Sequence, residues 1–190
     1  MIKERIQALL KALNDQDEGI KKAASVALAR LEARGSISAY TEALKNPKAD
    51  VRIRAVYALG ETKDKRALPA VLLALEDPDE YVRGASLKVL MDMKDPISIE
   101  PLIARLSDPN PSVRELAVET IGKMKSTEAV EPLIELIRGA GKEIKIAGVK
   151  ALAAIGDKRA EAVLLALINN PQEDPGIKKE AALGLGELEF

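Results

Sequence analysis

Six times along the chain a β-branched residue is followed by Arg or Lys, and further apolar positions then recur at fixed distances. The pairs are Ile20-Lys21, Val51-Arg52, Val82-Arg83, Val113-Arg114, Ile144-Lys145 and Ile177-Lys178, the first five 31 residues apart and the last 33. Counting from the β-branched residue as zero, offset +4 holds Ala24, Ala55, Ser86, Ala117, Gly148 and Ala181, all small. Offset +8 holds Leu28, Leu59, Leu90, Ile121, Leu152 and Leu185, all large and aliphatic. Positions 0, +4, +8 and +11 or +12 share one stripe of an α-helix, so each unit predicts an amphipathic helix, called A here. A second apolar set at +20, +21 and +24 predicts a helix B, as in Val71, Leu72 and Leu75 or in Leu133, Ile134 and Ile137. Leu9, Leu10 and Leu13 fit the same register, so the chain opens on a B helix and closes on an A helix. Period-two alternation is missing, and Ala, Leu, Glu and Lys dominate, which excludes a β-solenoid.

A period of this length marks an array whose units bury their apolar faces only against neighbours. The expected architecture is all-α: a right-handed α-solenoid (α-α superhelix) of about twelve helices in six helical hairpins, forming one array over residues 1–190. Helix A is expected to start near 17, 48, 79, 110, 142 and 175. Asn46-Pro47, Asp77-Pro78 and Asp108-Pro109 read as an N-cap acceptor before a proline at the first helical position. Asp77 with Glu80 and Asp15 with Glu18 have capping-box spacing. Asp64, Asp95, Ser126 and Asp157, at offset +13, are placed to cap the B helices, and Pro101 and Pro132 suit their first turns.

Asp77-Pro78, Val82-Arg83, the small residue at +4 and the run Ala58-Leu59-Gly60 resemble HEAT-like repeats. The 31-residue subtype found in phycobilin lyase subunits is similar, and Glu131-Pro132-Leu133-Ile134-Glu135-Leu136-Ile137 resembles its other helix. The resemblance covers essentially the whole chain and speaks to fold; such repeats serve mostly as binding scaffolds and occasionally in enzymes. It implies that the Arg or Lys at +1 pairs with acidic or carbonyl groups of the preceding turn, and that helix B lines the concave face. Divergence among the units favours a natural origin over a consensus design.

Composition narrows the chemistry. Basic and acidic residues balance, 29 against 30, and one Phe, three Tyr and no Trp leave little to stack on bases, so neither nucleic acid nor an anionic membrane is expected as a partner. With no Cys there is no disulfide or thiolate metal site, and with no His the general-base and nucleophile chemistry shrinks to carboxylates, Lys, Tyr, Ser and Thr, which form no recognisable constellation. No catalytic residue, metal site or cofactor is therefore expected. Residues 1–14 lack a signal-peptide profile and no 18-residue apolar run occurs, which leads to a cytoplasmic expectation. Five Asn, three Gln and abundant Lys, Arg and Glu are compatible with a thermostable chain.

Some segments depart from the pattern. Gly139-Ala140-Gly141 replaces the usual Asp-Pro, and two extra residues lie within 169–176. Gly139-Ala140-Gly141-Lys142 is no phosphate loop, because Leu136 and Glu143 stand where a Walker motif needs Gly and Ser or Thr. Along helix A, Lys88, Glu119 and Lys150 alternate in charge at +6, as do Arg30 and Glu61, then Asp92 and Lys123, at +10; read as convex rows, they suggest registry between units. On helix B the outward positions are expected at +22 with part of +18 and +23, which makes Leu73, Arg105, Glu135, Leu136 and Leu167 the candidate partner-binding residues. The leading expectation is a non-enzymatic scaffold gripping a protein or peptide on its concave face, largely as a monomer. The alternatives are end-to-end assembly through Met1 and Ile2 at one end and Leu183, Leu185, Leu188 and Phe190 at the other, or a bilin-lyase-like subunit.

Overall fold

A computed structural model describes residues 2–13 and 15–188, and every regular element among them is helical. Eleven α-helices follow in order: α1 (Ile2–Ala12), α2 (Glu18–Ala43), α3 (Ala49–Glu61), α4 (Leu68–Leu73), α5 (Glu80–Met93), α6 (Ile99–Ala104), α7 (Pro111–Met124), α8 (Val130–Gly139), α9 (Lys142–Ile155), α10 (Glu161–Asn169) and α11 (Pro175–Leu185). The A helices are the first part of α2, then α3, α5, α7, α9 and α11. The B helices are α1, the last part of α2, then α4, α6, α8 and α10. Each B packs on the A that follows it, making six units, and each A packs on the next.

The turn from A to B is made by one left-handed residue at +12. Lys63, Lys94 and Lys125 take φ of 51°, 49° and 54°, and Gly156 takes 78°. This ends the helix as an αL cap does. At +13, Asp64, Asp95 and Asp157 each accept a backbone N–H two residues on, from Arg66, Ile97 and Arg159, and so open the short 3₁₀ turn that leads into B. Ser126 makes no such bond. In the first unit the sequence has Ala33 at +13, where the later units carry Asp or Ser. There the chain stays helical, and two of the twelve expected segments run together as the 26-residue α2.

The turn from B to A differs from the sequence expectation by two residues. The caps are Asp17, Asp79, Asn110 and Asp174, each accepting two backbone N–H groups of the first turn, as Asp79 does from Tyr81 and Val82. Asp77 and Asp108 lie outside the helices, and Glu80 is the first residue of α5, so neither proposed capping box forms. The carboxylates of the Asp-Pro pairs serve a different purpose, described below.

Packing identifies the inner layer. Successive A helices meet along their length through small residues: a Cβ on Gly122 would lie 3.0 Å from Cα of Ala151, and one on Gly184 would lie 3.1 Å from Cβ of Ala153. Successive B helices approach one another chiefly through the 3₁₀ turn that opens the following helix. A two-layer stack curves toward its more closely spaced layer. The concave face is therefore made by the A helices, and the expectation that B lines it is reversed.

Between the layers lies a continuous aliphatic core that includes Leu59, Leu75, Leu90, Leu102, Ile121, Leu133, Leu152 and Leu164, all fully buried. Each such side chain contributes about 1.5–3 kcal/mol relative to exposure. The ends are less covered. Ala23, Val26, Ala27 and Leu9 border an open hollow of about 790 Å³, where α3 covers the equivalent Ala85 and Val89 farther along. Leu183 is exposed, while Leu185 and Leu188 pack against the core; Met1 and Phe190 lie outside the described residues, as does the Ile2 side chain.

Gly148 illustrates how closely A and B fit. A Cβ there would fall 2.3 Å from Cγ2 of buried Ile137, whereas the other interior units pair Ala or Ser at +4 with Leu in the preceding helix B. Gly148→Ala should lower stability, because overpacking costs about 1–3 kcal/mol while helix propensity returns about 1 kcal/mol. Ile137→Leu in the same chain removes the offending branch and should recover most of the loss. Urea unfolding of the three variants measures both effects, and an unchanged midpoint for Gly148→Ala would show that the contact yields freely.

Candidate binding faces and the arginine ladder

An arginine in the first turn of helix A, its fourth residue, points back along the turn from which the helix emerges. Arg83 donates from Nη1 to the backbone oxygens of Asp77 (2.8 Å) and Pro78 (3.2 Å). Its Nε and Nη2 then grip Oδ2 and Oδ1 of Asp108, each at 2.8 Å. Arg52 does the same one unit earlier, with its Nη1 on Asn46 and Pro47 oxygens and a two-point grip on Asp77 at 2.7 Å. Each arginine thus holds its own turn by the backbone and the next unit's turn by a carboxylate 25 residues ahead. The resemblance pointed to groups of the preceding turn, and the structure adds the following unit. The constant Arg-to-Asp spacing was the available signal.

The ladder is buried where it is best formed, with side-chain exposures of 8% for Arg83 and 0% for Asp108. Asp108 also accepts the backbone N–H of Asn110 and lies 3.7 Å from Nη1 of Arg105. Burial pushes its carboxyl up, but the bonds from Arg83 and Asn110 and the charges of Arg83 and Arg105 outweigh this and hold it below the usual carboxylate range. On the outer edge, the side-chain and backbone bonds from Arg159 lower the Asp157 carboxyl to about 2.

Further along, the rungs change. Arg114 keeps the backbone half of the pattern, donating from Nη1 to Asp108 (2.7 Å) and Pro109 (3.1 Å) oxygens, but Gly139 stands 25 residues ahead. Lys145 replaces arginine in the next unit and reaches Glu173 at 3.1 Å, the two-residue insertion having brought a different acid to the turn.

The five residues expected to face a partner separate by offset. Leu73 and Glu135, at +22, are exposed on the outer layer, and Glu135 pairs with Arg138 at 2.9 Å. Arg105, Leu136 and Leu167, at +23, lean inward. Leu167 is buried in the core, Leu136 packs partly against it, and Arg105 is turned onto the backbone oxygen of Leu75, with its Nη2 2.9 Å from Glu76. All six +23 positions are buried or half-buried, because that stripe of helix B points at the adjoining unit.

The open stripe of helix A, at −1, +2, +6 and +10, forms the concave face. Its exposed large apolar members are Val26, Tyr57, Tyr81 and Leu183, the two tyrosines 42% and 70% exposed, with half-buried Ile53 nearby in sequence register. A hollow of about 410 Å³ is lined by Tyr57, Gly60, Lys88 and Asp92, and another of about 620 Å³ by Glu119, Lys123, Ile146 and Lys150. The charged positions once read as convex registry rows therefore lie on this inner surface. They do not pair in those rows: Glu119 binds Lys123 of its own helix at 2.7 Å, and Lys150 lies 3.7 Å from Glu180. Among the described residues no cluster of acidic side chains is suited to hold a metal ion, and no helix is long and apolar enough to cross a membrane.

Comparison with known proteins agrees with this geometry. The model of HEAT repeats matches residues 6–91, 37–107 and 68–147, together well over half the chain. The chain belongs to the HEAT-repeat family. A model of the PBS lyase HEAT-like repeat matches residues 144–170 of this HEAT-repeat protein. No curated protein matches it in sequence. Among solved structures, the complex of CpcE and CpcF of phycocyanin lyase from a Nostoc species is similar at a TM-score of 0.67 and 22% identity, over 80% of this chain and 64% of that one. The chain thus spans less than two-thirds of that neighbour. A designed armadillo repeat protein in complex with the peptide (KR)4 matches at 0.61 and 19% identity over 97% and 99% of the two chains. Computationally designed armadillo repeat proteins for modular peptide recognition match at 0.59 and 19% over the full length of both. These likenesses establish the solenoid fold.

Removing Asp108 leaves Arg83 and Arg105 without their shared acceptor. Asp108→Ala should cost about 3–5 kcal/mol, the penalty for stranding a buried charge, as measured by urea unfolding at neutral pH. A loss under about 1 kcal/mol would mean that the rung is no stronger than a surface pair.

The sign of the pH effect follows from the lowered carboxyl. The unfolded chain takes up the proton first, so the rung's contribution is complete above about pH 4 and fades as pH falls through the lower native value. The stability gap between wild type and Asp108→Ala should hold from pH 7 to 5 and narrow below about pH 4. A gap independent of pH down to 2 would assign the loss to packing instead.

Proposed function

We propose that this HEAT-repeat protein is a non-enzymatic scaffold that holds a protein or peptide partner along its concave face. The observation that carries the reading is the pair of exposed tyrosines on the inner layer, Tyr57 and Tyr81, the first of which lines an open hollow. Tyrosine offers a large apolar face with a polar tip and little conformational entropy to lose, which suits it to anchor a partner. The alternating charges at +6 and +10 surround these anchors with groups able to select register. The fold is one typically used for interaction rather than catalysis, and similar solenoids bind peptides. Lyase-like handling of a tetrapyrrole is the weaker reading, since the chain has no His, Cys or Trp to line such a ligand.

The test compares the two faces. Tyr57→Glu with Tyr81→Glu alters the inner layer, and Leu73→Glu with Glu135→Lys alters the outer one; all four positions are exposed, so thermal midpoints should stay within a few degrees of wild type. In a tagged pull-down from source lysate read by mass spectrometry, the inner-face variant should lose captured partner about tenfold or more while the outer-face variant retains it. The opposite pattern would move the site to Leu73 and Glu135.

A further inference from the structure

Of the three arginines in the ladder, Arg114 is the one whose carboxylate acceptor is missing. Its Nη1 is fixed by the same two backbone oxygens that fix Arg52 and Arg83, so its guanidinium is held in the same attitude. In the other two rungs Nε and Nη2 then meet both oxygens of an aspartate at 2.7–2.8 Å. Arg114 makes no carboxylate contact among the described residues. Gly139 supplies no side chain, and without an Asp-Pro turn α8 runs on as α-helix to that residue, where the equivalent B helices tighten into 3₁₀ turns before Asp77 and Asp108. Arg83 is buried, whereas Arg114, like Arg52, is half-buried, so its guanidinium is not sealed inside the core.

We infer that Arg114 is a binding position for a carboxylate brought by the partner, the side chain of an Asp or Glu in a polypeptide. The geometry favours that group. The fork presents two parallel N–H donors matched to a planar, two-oxygen anion, and the neighbouring rungs accept it on a single methylene. The position borders the N-terminal ends of the A helices, which carry the concave face, so a chain lying across that face can place an acidic residue there. The assignment of the occupant to a polypeptide rests on the scaffold reading, whereas the open fork does not.

Arginine Nε–H resonances report the fork directly. In a ¹⁵N spectrum of the full chain, titration with sodium acetate should move the Arg114 signal, assigned by its loss in Arg114→Gln, and leave those of Arg52 and Arg83 in place. N-acetylaspartate N-methylamide, which presents the carboxylate as an internal aspartate does, should move it likewise. Gly139→Asp with Ala140→Pro restores the Asp-Pro pair of the earlier rungs. It should shift the Arg114 signal toward those of Arg52 and Arg83 without added ligand and weaken the acetate response about tenfold or more. Unchanged Arg52 and Arg83 signals certify that the variant is folded. An Arg114 signal insensitive to both carboxylates overturns the inference, as does tighter binding of inorganic phosphate than of either. Because acetate replaces the partner, a failed pull-down with the tyrosine variants leaves this result standing, and a silent Arg114 leaves the concave-face reading standing.

Discussion

In the middle of this molecule, units are joined by arginines that belong to neither turn alone. Arg83 holds the backbone of its own turn and the carboxylate of the following one, and Arg52 does the same one layer earlier. A hydrophobic stack without such a device would resist separation of its units but permit them to slide, since aliphatic contact is non-directional. The two-point grip fixes distance and angle together, which is what a solenoid needs for a defined curvature. It also explains why Asp77 and Asp108 do not cap helices: their oxygens already serve the arginine and the N–H groups of Asp79 and Asn110, and capping falls to those next residues.

Curvature itself comes from the small residues of the A layer. Gly122 against Ala151 and Gly184 against Ala153 bring backbones together, while successive B helices meet chiefly through the 3₁₀ turns between them. Tight inner spacing leaves a ridge of A-helix residues facing one another's neighbours across the concavity. Tyr57 and Tyr81 project from it because no part of the described chain covers them. The same constraint that shapes the array thus creates its open surface.

This bears on how far the sequence could be read. The unit length, the buried positions at 0, +4 and +8 of units 3 to 5 and the helical starts are all local consequences of periodicity, and they are legible. Which layer faces inward was not read correctly, because periodicity shows that a stripe is buried without showing how closely the helices on either side approach. The information was present in the small residues around +7 and +9, but only as a contrast between two layers. Leu136 and Leu167 are ambiguous in the sequence for a related reason: a bulky residue where other units have Ala can project outward or tilt into the core between units, and the structure packs both against the core. The fusion within α2 was also encoded, in Ala33 at a position where the later units carry an oxygen.

The fifth unit concentrates what the others avoid. Gly139 removes the acceptor from Arg114, and Gly141 stands at the N-cap of α9 with no side chain to cap it. Downstream, Lys145 with Glu173 replaces a rigid fork by a point charge on a flexible stem. Unit 5 is therefore tied to unit 4 by apolar contact, above all Gly122 on Ala151, rather than by a polar rung. In an array whose stability is a sum of nearest-neighbour terms, a junction lacking one term resists a change of angle less than it would with the rung in place. A ligand carboxylate bound by Arg114 would supply the missing term from outside. Partner binding and the rigidity of the array would then be the same event at this junction, since the group that completes the fork also restores the pattern of the Arg52 and Arg83 rungs.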